Sequence, residues 1–162
     1  MIVASLPDSR ASADGLTFRV AAAADLPQLA SWNKQLIEDE GHDNTMSLEE
    51  LAVRMRNWLT TEYQALIFED PAAPAPVAYA LLRDTPEWVH LRQFFVARDR
   101  RRRGIGARAV ALLRDSVFPP DKPVIVEAMA WNHRALSFWH AVGFADRYVG
   151  LESRPAASVR RP

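Results

Sequence analysis

The chain has 162 residues, 49% of them hydrophobic, which is enough for one domain with a substantial core. Twenty basic side chains balance twenty acidic ones, so no global field draws the protein toward nucleic acid or an anionic membrane. Cysteine is absent, which removes disulfides, thiolate metal sites and cysteine nucleophiles and fits a reducing cytoplasm.

Residues 1–15 mix Ser, Asp, Pro and Ala without periodicity and read as a tail, as do residues 153–162; a single domain is expected over 16–152. No basic start precedes a long apolar core, and no run approaches the roughly 20 apolar residues that span a bilayer, so neither export nor a membrane is expected. Leu16 to Ala21 alternates as a short strand, and Asp25 stands where a helix N-cap belongs, with Pro27 in the first turn. Leu26, Leu29, Ala30, Leu36 and Ile37 form one apolar face, which ends in the polar stretch from Glu38 to Thr45. Ser47 and Glu50 make a capping box, followed by Leu48, Leu51, Met55, Trp58 and Leu59 at helical spacing. Tyr63 to Glu69 and Val77 to Leu82 read as paired strands around a Pro-rich turn, and Glu87 to Ala97 as a further strand. Ile105 to Val117 has helix spacing and stops before Pro119. Val124 to Met129 is a β-branched run, Asn132 caps a helix over Ala135 to Val142, Gly143 ends it, and Phe144 to Leu151 is expected as a closing strand. The order is β α α β β β α β α β, a mixed α/β fold.

The central motif is Arg101-Arg102-Arg103-Gly104-Ile105-Gly106-Ala107, between a strand and a helix. A helix N-terminus leaves N–H groups unpaired and carries partial positive charge, glycine lets a phosphate approach them, and arginine adds charge-assisted contacts. Gly104, Gly106 and Ala109 also fit a dinucleotide-binding G-x-G-x-x-A with Glu127 as the ribose acid. Against that reading, seven residues separate Val96 from Gly104, whereas that motif turns almost directly out of its strand. The basic run reads alternatively as a solvated surface or a nucleic-acid patch, but it has no interleaved aromatics and sits in a neutral chain.

Arg101, Gly104 and Gly106 match the signature of the GNAT family of N-acetyltransferases: Gln or Arg, two residues, Gly, one residue, then Gly or Ala. Leu91-Arg92-Gln93-Phe94-Phe95-Val96 resembles the family's fourth strand, and Asn132, Ala135, Phe138, Gly143 and Phe144 its N-x-x-A…G-F ending. The resemblance covers Leu16 to about Leu151. It implies a mostly antiparallel mixed sheet, splayed between the fourth and fifth strands and flanked by about four helices. It also implies acetyl-CoA as cosubstrate, without a metal, and direct attack of an amine in a ternary complex. Main-chain groups of Phe94, Phe95 and Val96 would then hold the pantetheine arm. The backbone N–H groups of Arg101, Arg102, Arg103, Gly104, Ile105, Gly106 and Ala107 would hold the pyrophosphate, their side chains mattering less. Asn132 would touch the cofactor or act as a simple N-cap.

Counting six residues back from Val96, where some members place a glutamate base, reaches His90, whose neutral imidazole suits the role. Trp139 stands where many members have a tyrosine acid, and an indole N–H is not a useful acid, which leaves water, His140 or Tyr148. The acceptor is expected to be an amine of a small molecule or peptide. The carboxylates of Glu38, Asp39, Glu40 and Asp43 favour a cationic one. A homodimer is left open, and a CoA-binding regulatory module without catalysis is the competing reading.

Overall fold

The computed structural model describes residues 10–11 and 15–153. The rest of the two expected tails lies outside the described residues, while Arg10–Ala11 forms a two-residue strand, β1, against Phe18 and Thr17. The other elements in chain order are β2 (Thr17–Val20), α1 (Leu26–Asp39), α2 (Leu48–Thr61), β3 (Gln64–Glu69), β4 (Ala78–Asp84) and β5 (Val89–Val96). They continue with α3 (Ile105–Ser116), β6 (Val124–Val126) and α4 (His133–Ala141). The strands lie side by side in chain order, antiparallel up to β5, with β6 parallel to β5. The expected fourth and fifth strands are therefore β5 and β6.

Period-two alternation sorts the strand residues onto two cores. Leu66, Phe68, Ala80, Leu82 and Leu91 face α3 and α4, where they meet Ala109, Leu113 and Trp139. Ala65, Ile67, Tyr79, Leu81 and Phe95 face the other way, onto Leu29 and Trp32 of α1 and Met55 of α2. Trp32 stacks on Tyr79 with ring centroids 5.9 Å apart. The alternation breaks once. Leu81 pairs with Gln93 and Leu82 with Leu91, so Arg92 is an extra residue in β5, and both Arg92 and Gln93 turn toward the α1/α2 face. Such a bulge bends and re-aims a strand. Gln93 is anchored there by a buried network, donating to Asn33 (2.8 Å) and accepting from the Tyr79 hydroxyl (3.0 Å).

The β5–β6 ladder lasts three residues, from Val89/Val124 to Leu91/Val126, after which the two strands part. The expected strand from Val124 to Met129 is thus shorter, ending at Val126. The expected closing strand from Phe144 to Leu151 does not form. Gly143 ends α4 at φ +89°, the Phe144 N–H bonds back to the Trp139 carbonyl, and the Phe144 ring packs on Trp139. Beyond it the segment is held through side chains, Asp146 on His140 and Tyr148 on Glu127, while Val149 and Leu151 stay exposed. No ladder is available to pay the ordering cost of a strand.

Helix ends follow the local code. The Ser47 hydroxyl accepts from the Glu50 N–H and the Glu50 carboxylate from the Ser47 N–H, and the Asn132 side chain accepts from the Ala135 N–H. Asp25 differs from expectation: its carboxylate takes the Ala22 N–H and the Arg19 guanidinium, capping a short 3-10 turn ahead of α1 instead of α1 itself. Replacing the cap, Ser47→Ala, is expected to cost about 1 kcal/mol in urea unfolding. An unchanged midpoint would show that packing of α2 on β3 suffices alone.

Candidate active site

Where β5 and β6 part, a cleft of about 460 Å³ opens between them. One wall is the free edge of β5. The Ala97 N–H bonds to Val77 of the hairpin, so alternation along the antiparallel ladder turns the main-chain groups of Phe94 and Val96 to the open side. Both residues line the cleft, as does Phe95, whose ring packs into the α1/α2 core. The aromatic rings of α4 hold the cleft open: Phe138 stacks on Phe94 at 5.9 Å, and Trp139 tilts against Phe94 at 5.5 Å.

The far end is the N-terminus of α3. Gly104 occupies its N-cap with φ +74° and brings no capping side chain, so first-turn N–H groups lining the cleft at Ile105, Gly106 and Ala107 are left without a side-chain partner. A Cβ at Gly104 would meet nothing within 4 Å, so glycine is needed there for the left-handed backbone. Gly106 is glycine for a different reason. A Cβ there would lie 3.0 Å from the Phe138 ring, so this position lets α4 close onto α3.

The arginines divide. Arg101 is a strut: its Nε donates to the Val96 carbonyl (2.9 Å), its Nη2 reaches Asp39 (2.5 Å), and its guanidinium covers the Phe95 ring. Arg102 lines the cleft with φ +59° and takes no ion pair among the described residues, whereas Arg103 is exposed and lies off the cleft. Asn132 lines it too, with its side chain already used as the α4 cap. Gln93 and Arg134 are among the lining residues that the sequence did not place in the site. Gln93 needs the bulge to be placed, and Arg134 stands in the first turn of α4, where a cation opposes the helix dipole unless an anion is bound. That opposition is a signal legible in sequence.

The acidic cluster is largely spent. Burial raises the Asp39 carboxyl, but hydrogen bonds from Arg101 and Arg98 outweigh this and hold it below its usual range. Glu38 is paired with Arg98, while burial pushes the cleft-lining Glu40 upward.

His90 does not line this cleft. It points to the α1/α2 face beside a second cavity, its Nδ1 2.9 Å from the Tyr63 hydroxyl and its Nε2 3.6 Å from Glu127. Glu127, just beyond β6, lines both cavities and accepts a 2.9 Å hydrogen bond from Tyr148. His140 is tied to Asp146 and lines neither. No group of three or more metal-ligating side chains occurs among the described residues, and none of their helices is long and apolar enough to cross a membrane.

An open mixed sheet parted beside a strand edge, with an uncapped helix N-terminus at its end, defines an α/β domain whose cleft offers main-chain donors of the kind that suit an extended, phosphate-bearing ligand. A family model described as the acetyltransferase (GNAT) family matches residues 30–144, and the chain belongs to that family. No curated protein matches the chain significantly. Among solved structures, a variant of the BH1408 protein from Bacillus halodurans superposes with a TM-score of 0.69 at 19% identity, over 85% of this chain and 98% of that one. The aminoglycoside N-acetyltransferase AAC(6')-Iy in complex with CoA gives 0.66 at 15% identity, over 94% and 99%. An aminoglycoside acetyltransferase from an uncultured soil metagenomic sample, in complex with sisomicin, gives 0.63 at 17% identity, over 86% and 95%. At these identities the likeness is one of fold.

Two outcomes follow from this geometry. Gly106→Val should overpack the α3–α4 contact and lose about 1–3 kcal/mol in urea unfolding, more than Gly104→Ala, which pays only for its left-handed backbone. Equal losses would show that the Phe138 ring yields freely. Burial, opposed by Glu127 and helped by Arg92 and Arg83, lowers the His90 pKa from its ordinary 6.5. The folded state then resists charging this imidazole more than the unfolded chain does, so its contribution to stability is present above pH 6.5 and lost as pH falls below it. In thermal melts from pH 7.5 to 5.5, wild type should lose more stability than His90→Gln; parallel losses would contradict the assignment.

Proposed function

We propose that the protein is an acetyl-CoA-dependent N-acetyltransferase that acetylates a primary amine by direct attack in a ternary complex. The observation that carries the reading is one cleft containing both the β5 edge not paired to another strand at Phe94 and Val96, where only the Val96 carbonyl is engaged, by Arg101, and the uncapped N-terminus of α3. The residues fit the cosubstrate. Main-chain groups of β5 suit the amide-bearing pantetheine arm as an added strand would. The N–H groups from Ile105 to Ala107, with Arg102 and Arg134 on the cleft wall, suit the pyrophosphate. Arg101 contributes by holding the turn to Val96 and Asp39.

For the base, the geometry favours Glu127 over His90, because Glu127 lines the cleft and His90 stands behind it. Glu127 accepts the ammonium proton, the neutral nitrogen forms its bond to the thioester carbonyl carbon, and the C–S bond breaks as the intermediate collapses. Thiols have a pKa of about 8.5, so the departing sulfur needs no strong acid, consistent with Trp139 where many members have tyrosine. His90 orients Glu127 from the Tyr63 side. A reducing cytoplasm suits a chain without cysteine.

Acetyl-CoA at 100 times its Kd should add about 2.7 kcal/mol of stability, and an amine library should release CoA with a mass shift on the acceptor. Glu127→Gln is expected to lower kcat at least a hundredfold near pH 7 with the acetyl-CoA Kd unchanged, the deficit shrinking at high pH as the amine loses its proton unaided. Folded protein that ignores millimolar acetyl-CoA would overturn the reading. Binding without turnover of any amine would leave a regulatory CoA-binding module.

A further inference from the structure

The second cavity has its own chemistry. It measures about 440 Å³, within the range of small-molecule sites, and lies on the α1/α2 face over the β4–β5–β6 end of the sheet. Among the described residues, Glu127 alone lines both this cavity and the cleft between β5 and β6. Tyr148 holds one oxygen of that carboxylate, and His90 stands 3.6 Å from the other. Any ligand filling the second cavity therefore meets the first at a single fixed anion.

The remaining walls are cationic and aromatic. Arg147 forms no ion pair or hydrogen bond among the described residues. Arg83 gives one nitrogen to Glu62 and lies over the Tyr63 ring, while its buried Nε has no partner. Trp88 is 39% exposed and Tyr148 61%, so both rings offer uncovered apolar surface. Apart from Glu127 the cavity has no lining carboxylate, and at the other end of the cleft Asp39 is neutralised by Arg98 and Arg101. Of its two lining guanidinium groups Arg83 is already paired with Glu62, so a polycation entering here would meet the charge of Arg147 with Glu127 as the one lining carboxylate among the described residues. An amine that also carries a carboxylate would satisfy both signs.

We propose that the second cavity seats the acceptor, and that the acceptor is an amine bearing a carboxylate and an apolar or aromatic body, of the amino-acid class. The amine lies at Glu127, the carboxylate at Arg147 beside Arg83, and the body on Trp88 and Tyr148. This assignment rests on the acetyltransferase reading and narrows its substrate. In the balanced step one proton passes from the ammonium to Glu127, the neutral nitrogen bonds to the acetyl carbon, and the thioester C–S bond breaks while the second proton lost from nitrogen reaches the departing sulfur through water, so that CoA leaves as the thiol and an N-acetylated acid remains.

The test uses the full chain with phenylalanine, phenylalaninamide and spermidine. Turnover is read as CoA thiol release, and binding by calorimetry in the presence of CoA. Phenylalanine should exceed the other two at least tenfold in kcat/KM. Arg147→Glu should erase that preference through KM, with the acetyl-CoA KM unchanged, and Arg147→Lys should restore part of it. Turnover of phenylalaninamide or spermidine equal to or above phenylalanine, unaltered in Arg147→Glu, overturns the cavity assignment and leaves the acetyltransferase standing. Phenylalanine binding that depends on Arg147 without any acetyl transfer overturns the acceptor role and the enzymatic reading together. Absence of phenylalanine binding, with acetyl-CoA bound and another amine acetylated, overturns the assignment alone.

Discussion

The cleft exists because β5 and β6 cease to pair after Leu91 and Val126. A parallel ladder of three residues is weak, and two features mark its end. The bulge at Arg92 re-aims β5 so that Gln93 is drawn into the buried network with Asn33 and Tyr79. On the opposite face, Phe138 and Trp139 of α4 stack and tilt against Phe94, fixing the cleft wall. Strand edges left unpaired inside a fold carry unsatisfied main-chain groups, which is costly unless a ligand or water meets them. The cleft is thus a polar edge held open by apolar packing.

That packing reaches the α3 end of the cleft through Gly106. With only 3.0 Å between a would-be Cβ and the Phe138 ring, the start of α3 and the middle of α4 touch, so the aromatic wedge and the uncapped helix N-terminus belong to one rigid arrangement. The electrostatics connect the same turn to α1. Arg101 joins the Val96 carbonyl to Asp39, and Arg98 joins Asp39 to Glu38, so the end of the first helix is clamped to the loop that precedes α3. These arginines serve geometry, and the cations with freedom to meet an anion are others, Arg102 and Arg134.

Glu127 gains its place by lying one residue past β6, where the diverging strand puts it between the two cavities. His90, paired with Ile125 in the ladder, is on the closed side of the divergence and stands 3.6 Å behind that carboxylate. A difference of a few residues along two parallel strands separates a group that faces the cleft from one that supports it.

The sequence by itself determined what is encoded within a few residues: the alternating strands, the Ser47–Glu50 box, the Asn132 cap, the glycine at the end of α4 and the glycine-rich start of α3. Spacing carries these because a turn of helix or a pleat of strand repeats on that scale. Only the tertiary structure decided the rest. Counting along the chain pointed to His90, and the bulge at Arg92 and the three-residue ladder made Glu127 the residue on the cleft. The Arg101 guanidinium is taken by Asp39, sixty-two positions away, a pairing that no local pattern announces. Phe144 to Leu151 alternated well enough for a strand but had no ladder to join, since side-chain ties to His140 and Glu127 hold the segment away from β6. In each case the deciding contact joins residues distant in the chain, and no local pattern can specify which distant partner a side chain will meet.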